Sequence, residues 1–206
     1  MPVLIIIAGP NGAGKSTHSK DLISDFGIES FDFDKEFYSI WSQFSFDPSI
    51  EQGAFDRAQN LYLERRIKAL QQNQNFAFES NYHTREIITV INLFRLNGYK
   101  IELIFICLED VTTAIERVRE RVAKGGHSVE EETIRERFIN GLALLDESFH
   151  LFDSVSIYLS KWKKVNTLLM MEPQQGQVIY LDSTPSIIIS QLPKLTEFIS
   201  MNNMAS

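Results

Sequence analysis

A single cysteine, Cys107, stands in a chain of 206 residues. No disulfide can close within the chain, and no Cys/His spacing of a zinc site is present. Cys107 lies in the apolar run IELIFICL (101–108) and reads as a small buried hydrophobe rather than a reactive thiol. Long hydrophobic runs are missing too: none approaches the ~18 residues of a membrane-spanning helix. Excess positive charge is also absent. The 20 Lys and Arg face 27 Asp and Glu, a formal net charge of −7. An acidic chain is a poor general binder of nucleic acid, so neither a membrane nor a nucleic acid is the expected partner. No internal repeat, linker or low-complexity tract interrupts the chain beyond the short polar break Gln71-Gln72-Asn73-Gln74-Asn75. With 44% hydrophobic and 23% charged residues, the composition is that of a globular protein with a buried core. One domain over residues 1–206, in a reducing cytoplasm, is the expectation.

The chemistry begins at the N-terminal run VLIIIAGPNGAGKST (3–17). It has no basic segment before the apolar one and reads as a core strand, not a signal peptide. Gly9, Pro10, Asn11, Gly12, Ala13, Gly14, Lys15 and Ser16 then spell G-x-x-x-x-G-K-[ST], with Thr17 following. That pattern marks a phosphate loop when it stands between a strand and a helix, as it does here. Glycines let the backbone curl so that its N–H groups point at phosphate oxygens. Lys15 is expected on the β- and γ-phosphates of ATP, and the Ser16 hydroxyl on Mg²⁺. The helix starting near Lys15 adds its positive N-terminal dipole.

Along the rest of the chain, apolar runs alternate with helical periodicity. This is the signature of an α/β fold, here a three-layer P-loop sandwich with a mainly parallel sheet and helices on both faces. Strands are expected at Val3–Ala8, Glu29–Phe33, Phe76–Glu79, Lys100–Leu108 and Ser154–Leu159. Helices are expected at Lys15–Phe26, Lys35–Ser42, Ile50–Gln71, Arg85–Leu96, Val111–Lys124 and Glu130–Phe149. Gly98 stops the fourth helix and Asp110 caps the fifth. Residues 163–182 pattern as a hairpin, Pro185–Ser200 as a last helix, and Met201–Ser206 as a fraying end.

In open α/β sheets ligands bind beyond the carboxyl ends of the strands, so charged residues there are site candidates. Asp32 and Asp34 close the second strand on one face. Asp34, nearer the rim, either takes or orients the proton of an acceptor hydroxyl, or caps the helix at Lys35. Glu79 ends the third strand, where it serves the Mg²⁺ shell, holds an acceptor substrate or forms a rim salt bridge. Glu109-Asp110 after the fourth strand has the look of a transport ATPase. The signature helix of such proteins is absent, and Asp110 has a capping role. Arg117 and Arg121 share a helix face, and Lys124-Gly125-Gly126-His127 follows as a mobile turn. A cationic lid over about residues 114–138 could cover the charge of phosphoryl transfer and exclude water. His127 either meets phosphate or is a polar loop residue. Arg135 and Arg137 either lean into the site or lie exposed among Glu131, Glu132 and Glu136.

Taken together, AGPNGAGKST (8–17), FDFDKEF (31–37), FAFES (76–80), AIERVRERVAKGGHSV (114–129) and IRERF (134–138) resemble the zeta-toxin-like P-loop kinases, especially their short single-domain members. The resemblance implies Asp34 as catalytic aspartate and Glu79 as a substrate- or metal-side glutamate. It implies Arg117 as a phosphate-contacting arginine, with Arg121 and His127 in the lid. The best-understood members phosphorylate UDP-N-acetylglucosamine with ATP and are held by a small helical antitoxin. The chain departs from them at Ser80-Asn81-Tyr82-His83, where small residues are usual and where Tyr82 is expected to reshape the acceptor pocket. It departs again at Tyr158–Trp162 and at Glu136. Three functions stay open: a small-molecule hydroxyl kinase, a polynucleotide 5′-hydroxyl kinase, and a nucleotide-dependent switch with slow hydrolysis.

Overall fold

The computed structural model describes residues 1–161, 164–183 and 187–203. β-Branched and aliphatic runs form the strands expected of them. Strand β1 (Val3–Ala8) is buried from Leu4 onward. It is flanked by β2 (Phe76–Ser80) on one side and β3 (Lys100–Cys107) on the other, both parallel to it. Then come β4 (Ser154–Lys161), parallel to β3, and the antiparallel pair β5 (Lys164–Glu172) and β6 (Gln177–Leu181). The sheet order is β2-β1-β3-β4-β5-β6. Helices α1 (Lys15–Leu22), α2 (Phe33–Ser42), α3 (Glu51–Gln72), α4 (Glu86–Leu96), α5 (Val111–Ala123), α6 (Glu131–Ser148), α7 (Ile187–Ser190) and α8 (Pro193–Asn203) cover both faces. The architecture is the expected three-layer P-loop sandwich. No helix among the described residues is long and apolar enough to cross a membrane.

Local chemistry explains most boundaries. Asp110 caps α5 by accepting the Thr113 N–H at 2.7 Å, and Cys107 is buried as expected. The expected strand Glu29–Phe33 does not form. Only Phe31 joins the sheet, in a single bridge to Phe78, because α2 already begins at Phe33. The cap of that helix is Asp32, whose Oδ1 accepts the Lys35 N–H at 3.1 Å. Asp34 therefore sits in the first helical turn, neither on a strand nor at the cap. The expected last helix is divided into α7 and α8, since Pro193 has no N–H to continue a helix through it. The buried Asp146 of α6 accepts the Leu195 N–H at 2.9 Å and the Lys194 N–H at 3.3 Å, capping α8 from across the core. The expected hairpin is present as β5 and β6. Its proposed start at Lys163, the helix start at Pro185, Trp162 and the last residues 204–206 lie outside the described residues. Residues 201–203 continue α8 and do not fray.

One finding reverses an expectation. Tyr82 is not in a pocket: it is 1% exposed. Its ring packs edge-on to Phe105 and near Phe152, and its hydroxyl lies 2.7 Å from Ser148 Oγ. A left-handed φ of 55° turns the chain there and sends the side chain into the core. Tyr82→Phe should cost about 1 kcal/mol in urea unfolding, the usual net worth of one buried hydrogen bond, and leave ATP affinity unchanged. An altered ATP affinity at unchanged stability would contradict this placement.

Candidate active site

Strand register assembles the site. Ile7 of β1 pairs with Glu79 of β2 and Ala8 with Ser80, while Ala8 also pairs with Phe105 of β3. The parallel strands thus end together, and the loop leaving β1 rises beside Glu79, Ser80 and Asn81. Gly9 has a φ of 141°, and a Cβ there would stand 2.1 Å from the Ile106 carbonyl oxygen. Only glycine fits this close approach between two backbones. Gly9, Pro10 and Ala13 face inward and shape the loop. Asn11, Gly12, Gly14, Lys15, Ser16 and Thr17 line a cavity of about 1010 Å³. The first N–H groups of α1 open onto it, an anion-binding geometry.

Lys15 holds the loop together from inside. Its ammonium donates to the carbonyls of Gly9 at 2.7 Å and Pro10 at 3.2 Å, and to Asn81 Oδ1 at 2.9 Å. Burial pulls its pKa down to about 8, although the carboxylates of Glu79, Asp34 and Asp32 oppose that shift. Asn81, rather than Tyr82, is thus the residue after Glu79 that reaches the site.

Beside it, Ser16 Oγ lies 2.6 Å from Asp32 Oδ2 and 2.8 Å from Glu79 Oε2. A hydroxyl carries one proton and can donate to only one carboxylate at a time. Burial first, and then the Asp32 carboxylate, push the Glu79 carboxyl above its ordinary value. Two carboxylates converging on one hydroxyl match the oxygen chemistry of Mg²⁺, which binds one or two protein carboxylates and leaves places for phosphate oxygens and water. The residues present therefore fit that ion. Asp32 was the weaker candidate from sequence; the structure gives it both the helix cap and a place in this cradle.

Arg117, Arg121, Asp34, Glu79 and His127 line the same cavity as the loop. Arg117 is not a free finger: it donates to Ser160 Oγ at 2.7 Å, to the Ser160 carbonyl at 3.0 Å and to the Gly12 carbonyl at 3.4 Å. It also borders a smaller cavity of about 340 Å³ shared with Glu109, Thr113 and Lys161. Arg121 donates to the His127 carbonyl at 3.1 Å, and its Nε is buried without a hydrogen-bond partner. Arg137, left open by the sequence, reaches the loop at Asn11 Oδ1, 3.2 Å away, with its Nε likewise unpartnered. Its signal was its place in the IRERF segment, three residues after the buried Ile134 and just before the buried Phe138. His127 stacks on Tyr38 of α2 with ring centroids 4.0 Å apart, and its Nε2 lies 3.9 Å from Asp34 Oδ2. Burial, then Arg121, hold its pKa below the ordinary histidine value.

A protein-family model described as AAA domain (AAA_33) matches residues 4–138. Among curated proteins none matches the sequence. Solved structures are similar across the fold. One is that of the PezAT chromosomal toxin-antitoxin system of Streptococcus pneumoniae, with TM-score 0.57 and 16% identity over 99% of this chain and 85% of that one. Another is a presumed kinase of Chloroflexus aurantiacus, with TM-score 0.53 and 23% identity over 66% and 76%. A third is the AvrRxo1-ORF1:-ORF2 structure with ATP, with TM-score 0.59 and 12% identity over 98% and 76%. The likeness establishes the fold, and the family model places the phosphate loop within an AAA domain.

The state of Lys15 should make nucleotide binding pH-dependent. Its amine is charged below about pH 8 and neutral above, and a triphosphate pairs with the charged form. ATP affinity should be level below pH 7.5 and fall as pH rises through 8, toward about tenfold per unit. Titration calorimetry from pH 6.5 to 9.5 measures this, and Lys15→Arg should flatten the profile. An affinity that rises with pH would refute it.

Proposed function

We propose, from the premise that this chain belongs to the AAA-domain family whose model spans residues 4–138, that it is a Mg²⁺- and ATP-dependent kinase. The γ-phosphoryl group goes to a hydroxyl of a small molecule. The observation that carries this reading is the shape of the cavity. It continues past the phosphate loop along one face of α2, where Asp34, Lys35, Tyr38, Ser39 and Ser42 line it. Hydrolysis or switching needs room for a triphosphate and water only; this second half has room for an acceptor.

In this reading the loop from Gly9 to Thr17 cradles the phosphates, and Lys15 exchanges its carbonyl partners for β- and γ-oxygens. Ser16, Asp32 and Glu79 would hold Mg²⁺, which when bound offsets phosphate charge. Asp34 takes the proton of the acceptor hydroxyl as that oxygen bonds to the γ-phosphorus and the bond to the ADP oxygen breaks. Arg121 and Arg137, with guanidinium nitrogens still unpartnered, face the charge that spreads over the transferring group. Arg117, tied to Ser160 and Gly12, braces the donor side. His127 completes the acceptor side.

The zeta-toxin fold supports UDP-N-acetylglucosamine as the first acceptor to test. The PezAT likeness supports a small helical antitoxin as a partner. A cytoplasm, with its ATP, is the matching compartment. An assay of acceptor-dependent ADP release over sugar nucleotides, nucleosides and small alcohols tests the class. Asp34→Asn should keep ATP affinity and lower transfer by about 10²–10⁴-fold, the usual worth of a positioned proton acceptor. Full transfer by that variant would remove Asp34 from the mechanism.

A further inference from the structure

We propose that the acceptor hydroxyl is seated between two walls of the cavity, donating to Asp34 Oδ2 and accepting from His127 Nε2–H. His127 is then a catalytic residue, and the acceptor is an alcohol rather than a phosphate ester. This rests on the kinase reading above and assigns the acceptor half of its site.

The geometry starts from one gap. His127 Nε2 and Asp34 Oδ2 are 3.9 Å apart, too far for a hydrogen bond between them. An oxygen at an ordinary hydrogen-bond distance of ~2.8 Å from both would see them at an angle of about 90°. That is within reach of the donor and acceptor directions of a single hydroxyl. Nε2 is buried and has no hydrogen-bond partner among the described residues. A buried polar atom in that condition costs stability unless something meets it.

The protonation state follows from the surroundings. Burial and the Arg121 guanidinium keep the imidazole neutral near pH 7, against the pull of Asp34 and Asp32. A neutral ring carries one N–H. Placed toward the Asp34 carboxylate, Nε2 holds that proton, because the other tautomer sets a lone pair against a negative charge. The seat therefore offers one donor and one acceptor. A hydroxyl satisfies both. A phosphate oxygen has no proton to give and would meet Asp34 as like charge.

The residue is also held at ring and backbone. Tyr38 stacks on it at 4.0 Å and 16°, Arg121 holds its carbonyl at 3.1 Å, and the Gly125-Gly126 turn brings it back from α5. A purely structural histidine would need only the stack. The two roles separate by substitution. His127→Phe keeps an aromatic face for Tyr38 and loses the N–H. His127→Gln keeps an N–H donor and loses the stack.

The experiment measures kcat for γ-phosphoryl transfer with two probe acceptors, UDP-N-acetylglucosamine and water, after ATP titration has shown that each variant folds and binds donor. His127→Gln should be at least about tenfold faster than His127→Phe, with the KM for ATP equal in both. A His127→Gln no faster than His127→Phe overturns the assignment. So does phosphorylation of the phosphate of CMP or UMP by the native chain. Asp34→Asn run in parallel separates the failures. If it transfers at full rate, Asp34 leaves the mechanism and the seat falls with it while the kinase reading stands; if the native chain transfers to no acceptor, the kinase reading falls; if Asp34→Asn is inactive while His127→Gln gains nothing, only the seat falls.

Discussion

The pairing of β1 with β2 sets everything that the cavity contains. With Ile7 opposite Glu79 and Ala8 opposite Ser80, the two strands run out of sheet at the same level. The chain from β1 must turn sharply against Ile106, and the chain from β2 delivers Glu79 and Asn81 to that turn. The lone bridge of Phe31 to Phe78 brings a third segment to the same rim, since the Phe31 N–H reaches the Ala77 carbonyl and the Glu79 N–H the Phe31 carbonyl, each at 2.8 Å. Asp32 follows that bridge directly. A one-residue slip of β2 against β1 would turn Glu79 to the opposite face of the sheet and leave Ser16 with a single carboxylate.

That arrangement carries a charge conflict in the protein alone. The Lys15 ammonium is enclosed by carbonyls and held near pKa 8. The Glu79 carboxyl is raised by burial and by Asp32, and Arg121 Nε, Arg137 Nε and His127 Nε2 lie buried without hydrogen-bond partners among the described residues. Each of these groups is shifted or idle in the direction that its missing counter-charge would correct. In the proposed reading a triphosphate would offset the charge of Lys15 and the arginines, and a divalent cation that of Asp32 and Glu79. Perturbed groups gathered in one cleft are a physical mark of a working site.

Much of this was legible in the chain. The phosphate loop is a local device, so its residues and its setting between β1 and α1 could be read from fifteen letters. Strands buried on both faces announce themselves as continuous apolar runs, and β1, β2, β3 and β4 begin where such runs begin. What escaped depends on distant contacts. Residues 29–33 have strand-like letters, but the Asp32 cap starts a helix at Phe33, on the last residue of the expected strand. Tyr82 was placed in the pocket because its neighbours flank Glu79; a left-handed turn, invisible to periodicity, sends it into the core. Arg137 stands on the buried side of α6, three residues after Ile134, but pattern does not say what it reaches. Its reach to Asn11 is set by how α6 packs back across 126 residues of sequence.

The lid also reads differently once α2 is in view. Sequence marks the 114–138 segment as a cationic flap, and cations over a phosphate loop explain only the donor half. The ring of His127 lies on Tyr38, one turn beyond Asp34 on α2, so the flap is fastened to the wall on which the proposed proton acceptor stands. α2 itself leans on α3 through a separate aromatic cluster around Phe37, Ala54 and Ala58, distinct from the main core beneath the sheet. Motion of this small unit would carry Asp34, Tyr38 and the acceptor wall together and leave the phosphate loop in place. The stack of Tyr38 on His127 thus fixes the flap against the wall that carries Asp34, and the proposed acceptor seat lies at the edge of that stack, between His127 Nε2 and Asp34 Oδ2.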